Sequence, residues 1–263
     1  MSGRNNPPAK IPPRHLIVST ERAGALVARG LKAVRGKLQA PVATQLSTEA
    51  DNTAAAASAK SLDELRTLLE NFRGCELRNT ATQLVFADGD PHARVMFVGE
   101  APGYSEHITG RPFVGRSGKL LNHMLEAIGL DRTKAYFAYI VPWWSPEPLG
   151  NRMPSSRADY ERERDRASQE IAVFLPFIRR HIELVDPDIV VCLGVTPTQA
   201  LLGKGFTQTR GRWLKYDSGG RAIRALATFH PAVLLRAPLL KRLVWRDFLA
   251  LKKALAVELK LNR

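Results

Sequence analysis

Residues 95–103 read VMFVGEAPG and join an unbroken apolar run to a loop of small residues, and a helical pattern follows from about residue 117. An apolar run without alternation is typical of a central parallel strand that is covered on both faces. Ligands of open α/β sheets bind at the carboxyl ends of such strands, which is where Glu100 lies. The small residues beside it would let a substrate approach the backbone closely. The local pattern equally allows Glu100 to cap the next helix.

Strand and helix patterns alternate along the rest of the chain. Apolar runs predict further strands over residues 136–141, 188–193 and 225–229. Capping residues and helical spacing predict helices that begin near Ser61 and Ser117, and others over residues 158–185, 197–202 and 239–259. Such alternation predicts an α/β fold of three layers, α/β/α, with a central, mostly parallel sheet of four strands.

Candidate site residues follow three of the four predicted strands. Glu100 follows the first strand, Pro142 the second, and the pair His230-Pro231 the fourth. The carboxyl ends of neighbouring parallel strands meet at one edge of a sheet, so we expect these residues to converge. The sequence therefore predicts a functional site at this edge.

The composition favours a polyanionic partner. The chain of 263 residues is 44% hydrophobic, enough for one sizeable core, and carries a formal net charge of +14. A surplus of this size suits nucleic acid better than a small-molecule substrate or a membrane surface. No apolar run reaches the roughly 18 residues of a membrane span. The two cysteines make no disulfide framework, which favours a cytoplasmic location, in the bacterial cytosol or nucleoid.

The chain is expected to divide into a basic extension, residues 1–58, and a folded domain, residues 59–263. Residues 1–40 hold eight Lys or Arg and one acidic residue, a net charge of +7. Residues 53–59, TAAAASA, predict a low-complexity linker. We interpret the extension as a mobile arm that contacts DNA. The alternative is an amphipathic helix over residues 19–38 that docks on the domain.

Two motifs resemble those of a known family. The first joins GEAPG (residues 99–103), GRPFVG (residues 110–115) and the helix start GKLL (residues 118–121). It is similar to the first motif of the family-4 uracil-DNA glycosylases. The second, HPAVLLR (residues 230–236), resembles that superfamily's second motif, His-Pro-Ser-x-Leu-Leu-Arg. The resemblance covers about residues 72–250.

The resemblance implies a monofunctional uracil-DNA glycosylase, which starts base excision repair by flipping uracil out of DNA and hydrolysing its N-glycosidic bond. Phe113 would stack on the flipped base. Uracil leaves as an anion, and a neutral His230 would donate a hydrogen bond to it. Glu100 and Glu106 compete for the role of orienting water and steadying the cationic sugar, and the resemblance favours Glu100.

The same resemblance implies the remaining contacts. The uracil pocket would be completed by Ala101, Pro102, Gly103 and Tyr139, and DNA would be bound by Ser117, Gly118, Asn151, Arg152 and Arg236. Tyr139 stands where the family commonly has an asparagine that reads uracil, so its hydroxyl would bond the base or its ring would block the pocket floor. Trp143 and Trp144 would stack on DNA, or one of them would pack in the core.

The cysteines depart from the family pattern. Members usually carry four cysteines that hold an iron–sulfur cluster. Here Cys75 matches one of those positions, and the others are matched by Phe72, Trp143 and Phe174. One thiolate cannot hold a cluster that needs about four. We therefore expect no iron–sulfur cluster and no other metal.

Alternative functions stay open at this point. Tyr139 allows a protein that binds damaged DNA without turnover, or one that selects another deaminated base such as hypoxanthine or xanthine. A nucleotide hydrolase of unrelated type would need a GxxxxGK[S/T] loop or metal-binding acids at the strand ends, and neither pattern occurs. Residues 142–157 contain no histidine that would trap the abasic sugar covalently. We expect a monomer that acts on single- or double-stranded DNA.

Overall fold

The strands form one sheet with helices on both of its faces. This computed structural model describes residues 48–75, 77, 81, 83–145 and 156–261. The strands are β1 (Ala87–Gly89), β2 (Val95–Gly99), β3 (Tyr136–Tyr139), β4 (Ile189–Leu193), β5 (Trp213–Asp217) and β6 (Ala222–Thr228). The helices are α1 (Glu49–Ser58), α2 (Leu62–Asn71), α3 (Tyr104–Thr109), α4 (Arg116–Glu126), α5 (Arg157–Val185), α6 (Val195–Leu202), α7 (Phe206–Thr209), α8 (Pro231–Arg236) and α9 (Lys241–Leu261), with a short 3₁₀ turn at Pro238–Leu240.

The predicted apolar run forms the centre of the sheet. Across the described residues the strand order is β1-β3-β2-β4-β6-β5, and β2 is parallel to both of its neighbours, β3 and β4. Met96 and Val98 pack into the core on one face, and Val95 and Phe97 pack into the core on the other. Side chains alternate between faces along a strand, so a strand that is covered on both sides shows no polar alternation.

The two layers of helices bury opposite faces of β2. Helices α1, α2, α5 and α6 contribute apolar residues to the core on the Met96 and Val98 side. Helices α4, α8 and α9 contribute to the core on the Phe97 side. The predicted three-layer α/β/α architecture is therefore confirmed. No helix in the described ranges is long and apolar enough to cross a membrane.

The sheet is wider than the four strands predicted. The four predicted strands are the parallel ones, and β1 and β5 add an antiparallel strand at each edge. β1 has only three residues, all half-buried, and β5 reads WLKYD with one buried residue. An edge strand pairs on one side only and faces solvent on the other, so neither strand carries the apolar run by which the central ones were predicted.

The segment predicted as a linker is a helix. α1 has a capping box, in which Thr48 and Asp51 satisfy each other's backbone N–H groups, and its alanines have the highest helix propensity. Asn52 and Ala56 are buried, and α1 packs against α5. The linker prediction was wrong because a run of small residues can also serve a close helix–helix contact. Residues 1–47, including the predicted helix over 19–38, lie outside the described residues.

Candidate functional site

Three of the predicted pocket residues meet at the carboxyl edge of the sheet. The ring centroid of Phe113 lies 4.7 Å from that of Tyr139 and 6.0 Å from that of His230. Tyr139 ends β3, and His230 follows β6. Phe113 and His230 were predicted from motifs more than 100 positions apart, and the parallel sheet brings them together because its strand ends share one edge.

Gly99 makes room for these rings. A Cβ at this position would lie 2.7 Å from two atoms of the Tyr139 ring and 2.8 Å from the tip of Phe113. Tyr139 is also the register partner of Gly99 in the parallel pair of β2 and β3. The first residue of the GEAPG motif is therefore a packing requirement of the pocket wall, since only glycine leaves space for two aromatic rings.

The backbone of Phe113 is held in an uncommon conformation. Its φ is +53°, in the left-handed region that favours glycine. Its N–H donates to the Tyr139 hydroxyl oxygen at 3.1 Å, and its carbonyl accepts from Arg132 Nη2 at 2.5 Å. A Cβ on Gly118 would lie 1.7 Å from that same carbonyl oxygen. Gly118, expected at a phosphate, is instead buried beneath the Phe113 backbone.

Arg132 is a site residue that sequence reasoning missed. Besides Phe113, it donates to the carbonyl of Pro112 at 3.0 Å and to Asn122 at 3.2 Å, and it forms an ion pair with Asp88. Its guanidinium also lies over the Phe137 ring, 4.9 Å from the centroid. No local pattern marks this arginine, because its partners come from β1, the 110–115 loop, α4 and β3.

His230 is fixed in one tautomer. It is the N-cap of α8, and its Nδ1 accepts a hydrogen bond from the N–H of Ala232 at 3.1 Å. The proton of the neutral ring therefore lies on Nε2, which is left as a donor. Burial lowers the pKa of His230 to about 4, and the Arg236 charge adds to this while Glu106 opposes it. The ring is thus neutral at pH 7.

Glu106 braces the loop that carries Phe113. Its carboxylate accepts backbone hydrogen bonds from Gly103 at 3.1 Å, Val114 at 2.9 Å and Gly115 at 2.8 Å. The side chain is buried, so these donors replace water. Both oxygens are already bonded to the protein. The arrangement ties α3 to the start of α4 and favours a structural role over the expected catalytic one.

Glu100 lies at the end of β2 with a different environment. It is half-buried, and its Oε2 accepts a hydrogen bond from Thr196 Oγ1 at 2.6 Å. The carboxylate also lines a small cavity with Trp143, Arg166 and Glu170. Burial raises the pKa of Glu170, the Arg166 charge opposes this, and the nearby Glu100 charge adds to it. Thr196 has no sequence signal, because α6 reaches Glu100 only in the folded chain.

The other predicted contact residues have varied exposure. Ala101 is half-buried, Pro102 is buried, and Gly103 is exposed while donating to Glu106. Ser117 is half-buried in the first turn of α4, and Arg236 is exposed at the end of α8. Asn151 and Arg152 lie outside the described residues.

The positions matched to cluster cysteines form an aromatic core. The Phe72 ring lies 5.6 Å from Phe174 and 5.2 Å from Phe177, centroid to centroid. Trp143 and Cys75 are buried in the same core. The second cysteine of the chain, Cys192, lies inside β4, and burial raises its pKa to about 12. Within the described ranges, no group of three or more His, Cys, Asp or Glu could hold a metal. A single thiol among apolar rings does not fit an iron–sulfur cluster.

Comparison with known proteins identifies the family to which the chain is similar. The family model described as "Uracil DNA glycosylase superfamily" matches residues 86–249, which contain both motifs. The type-4 uracil-DNA glycosylase of Archaeoglobus fulgidus is 31% identical over 195 residues, covering 72% of this chain and 90% of the relative. That of Sulfurisphaera tokodaii is 32% identical, covering 72% and 82%. That of Thermotoga maritima is 35% identical over 178 residues, covering 66% and 83%. The chain therefore belongs to the uracil DNA glycosylase superfamily.

Proposed function

We propose that this chain is a monofunctional uracil-DNA glycosylase that hydrolyses the N-glycosidic bond of uracil in DNA and so starts base excision repair. The observation that carries the proposal is the meeting of Phe113, Tyr139 and a single-tautomer His230 at the carboxyl edge of the sheet. The relatives named type-4 uracil-DNA glycosylase support the same reaction.

His230 would stabilise the leaving group. When the bond between C1′ and N1 breaks, uracil departs with a negative charge that is shared with O2. A neutral imidazole with its proton on Nε2 can donate a hydrogen bond to that oxygen. The donor is held in place by the Ala232 N–H before substrate arrives, so little reorganisation accompanies the reaction.

Phe113 and Tyr139 would hold the flipped base. The Phe113 ring, which is buried in this structure, would stack on the base, and its backbone is fixed by Arg132 and Tyr139. The Tyr139 hydroxyl accepts from Phe113, which leaves its own proton free to donate to a base oxygen. The loop residues Ala101, Pro102 and Gly103 would contact the base and the neighbouring phosphate through their backbone.

Glu100 is our candidate for the residue that orients the attacking water. The three backbone donors on Glu106 leave its oxygens committed to the loop, whereas among the described residues the Glu100 carboxylate accepts one side-chain hydrogen bond, from Thr196. A carboxylate near the sugar would also stabilise the oxocarbenium-like state. Thr196 would orient Glu100 without touching the substrate.

The remaining parts of the proposal concern partners and cofactors. DNA would be bound through Ser117, Arg236, Asn151 and Arg152, by a monomer in a reducing cytosol, where two cysteine thiols are stable. No iron–sulfur cluster would be bound, because the aromatic rings of Phe72, Trp143 and Phe174 occupy the matched positions.

The test is uracil release from oligonucleotides, single- and double-stranded, under single-turnover conditions. We expect His230→Ala and Glu100→Gln to slow release by roughly 100-fold or more, the usual scale for a lost electrostatic or general-base contact. His123→Ala, which changes an exposed histidine on α4, is the matched control. Near wild-type rates for both site variants would refute these assignments.

Tyr139 supports a second candidate, a glycosylase or binding protein for another deaminated base. Its bulky ring stands where the family commonly has an amide, and it packs against Phe113 at an interplanar angle of 35°. Parallel assays with hypoxanthine and xanthine oligonucleotides separate the two. Faster release of either base than of uracil would favour the second candidate, and tight binding without release would indicate a non-catalytic reader.

A further inference from the structure

Three aromatic side chains form a cluster that neither motif explains. Tyr104 and His107 lie on α3, and Trp144 lies in the turn after β3. The Trp144 ring stacks on His107 with centroids 4.6 Å apart and an interplanar angle of 23°. Tyr104 meets Trp144 edge-on at 5.6 Å. We call these three residues the aromatic platform.

Packing in the core does not account for the platform. Tyr104 is 65% exposed and Trp144 is half-buried, whereas the neighbouring Trp143 is 3% exposed. Of the two tryptophans, Trp143 therefore serves the core. Large rings held open to solvent are typical of binding surfaces. The buried His107 supports the Trp144 ring from beneath, and its carbonyl accepts from Gln83 Nε2 at 2.6 Å.

The platform is connected along the chain to the segments that carry Phe113 and Tyr139. Its residues on α3 flank Glu106, whose carboxylate binds the N–H groups of Val114 and Gly115, directly after Phe113. Its tryptophan follows the strand that ends in Tyr139. By these chain connections the platform adjoins the two segments that carry Phe113 and Tyr139.

We propose that the aromatic platform stacks the unpaired nucleobase next to the flipped uracil, on the same DNA strand. This rests on the proposed function, because the platform residues are neighbours, along the chain, of the residues proposed to form the uracil pocket. Exposed aromatic rings bind bases of any sequence through their π-faces. The exposed cations Arg116 and Lys119, at the start of α4, lie next to Gly115 and suit the phosphates of that strand.

The experiment measures binding to single-stranded oligonucleotides that contain one uracil, with an abasic residue placed in turn on each side of it. For the wild-type protein we expect one abasic position to weaken binding by about 5- to 150-fold, the range for one stacked base. Tyr104→Ala and Trp144→Leu should weaken binding of the intact oligonucleotide similarly. On the abasic oligonucleotide these variants should lose little further affinity, because the nucleobase that would stack on the platform is already absent.

Controls separate the possible failures. Trp245→Ala removes another partly exposed tryptophan, 43% exposed on α9, and should leave binding and the abasic effect unchanged. Thermal melts identify any variant that is unfolded, and Tyr104→Phe should retain wild-type binding. If the loss of affinity from the protein variant and the loss from the abasic residue multiplied when combined, the two would not interact, and the stacking proposal would be overturned. If the protein released no uracil but the variant and abasic effects still failed to multiply, the glycosylase function would be rejected and base stacking by the platform would be retained.

Discussion

At the scale of single residues, the protonation of His230 connects the site to stability. Its pKa is lowered to about 4 by burial, and that of His181 is lowered to about 3 by the same cause. In the unfolded chain both would titrate near the ordinary value of 6.5. Between these values the unfolded state binds more protons than the folded state, so acid favours unfolding.

We therefore expect the free energy of unfolding to fall as the pH is lowered from about 6.5 to about 4. Each of the two histidines contributes up to about 1.4 kcal/mol per pH unit within that window. Chemical denaturation at a series of pH values measures the slope. His230→Gln should reduce it, and the exposed His123→Gln should not. An equal slope in wild type and His230→Gln would contradict a neutral His230.

The pH dependence of uracil release should also reflect the low pKa of His230. We expect no loss attributable to His230 between about pH 8 and 5.5, since the ring is already neutral there. Near its pKa of about 4, protonation of Nδ1 would oppose the Ala232 N–H and disturb the ring.

At the scale of elements, the loop between α4 and β3 positions the loop that carries Phe113. Arg132 bonds the carbonyls of Pro112 and Phe113, and Asp88 on β1 holds its guanidinium. A residue at φ +53° persists only when its surroundings hold it there. We therefore propose that Arg132 is a positioning residue, which would act on the base through Phe113.

We expect Arg132→Met to lower uracil release by up to roughly 100-fold, because a displacement of about 1 Å at a reacting group can have this effect. The matched control is Arg111→Met, which removes the more exposed partner of the same Asp88. Fluorescence of 2-aminopurine beside the uracil should report weaker flipping for Arg132→Met. If only the melting temperature changed, with flipping and release intact, the residue would be purely structural.

At the scale of the whole molecule, an aromatic core between α2 and α5 occupies three of the positions that the family resemblance matches to cluster cysteines. Phe72, Phe174 and Phe177 pack ring to ring beside Trp143. We expect the purified full chain to be colourless and to contain far less than stoichiometric iron and sulfide. Visible absorption spectra, in which an iron–sulfur cluster would show charge-transfer bands, and analysis of iron and sulfide content test this expectation. A brown protein with stoichiometric iron would show that other residues supply the ligands.

The basic residues of the extension should add to DNA affinity without adding to chemistry. Residues 1–40 carry +7, and every proposed pocket residue lies beyond Val98. We expect a chain that lacks residues 1–47 to bind DNA more weakly, with a shallower salt dependence by about 0.7 to 0.9 in log–log slope per lost phosphate contact. Single-turnover release at saturating enzyme should persist.

Binding isotherms from about 50 to 200 mM salt, with a thermal melt, separate the possible roles of the extension. An unchanged slope would rule out the DNA-contacting arm. A lower melting temperature would instead support a docked helix. The cut follows residue 47 because α1, from Glu49, belongs to the folded unit.

The sequence by itself determined the central strands, the layer order and the rings that meet at the carboxyl edge of the sheet. Apolar runs and helical spacing are local signals, and Phe113 and His230 stand in motifs that can be recognised along the chain. The tertiary structure alone decided the partners of these residues. Thr196 meets Glu100 across 96 positions, and Arg132 meets Phe113 across 19. Such contacts depend on how elements pack, which no local period records, so Arg132, Thr196, the bracing role of Glu106 and the edge strands became visible only in the folded chain.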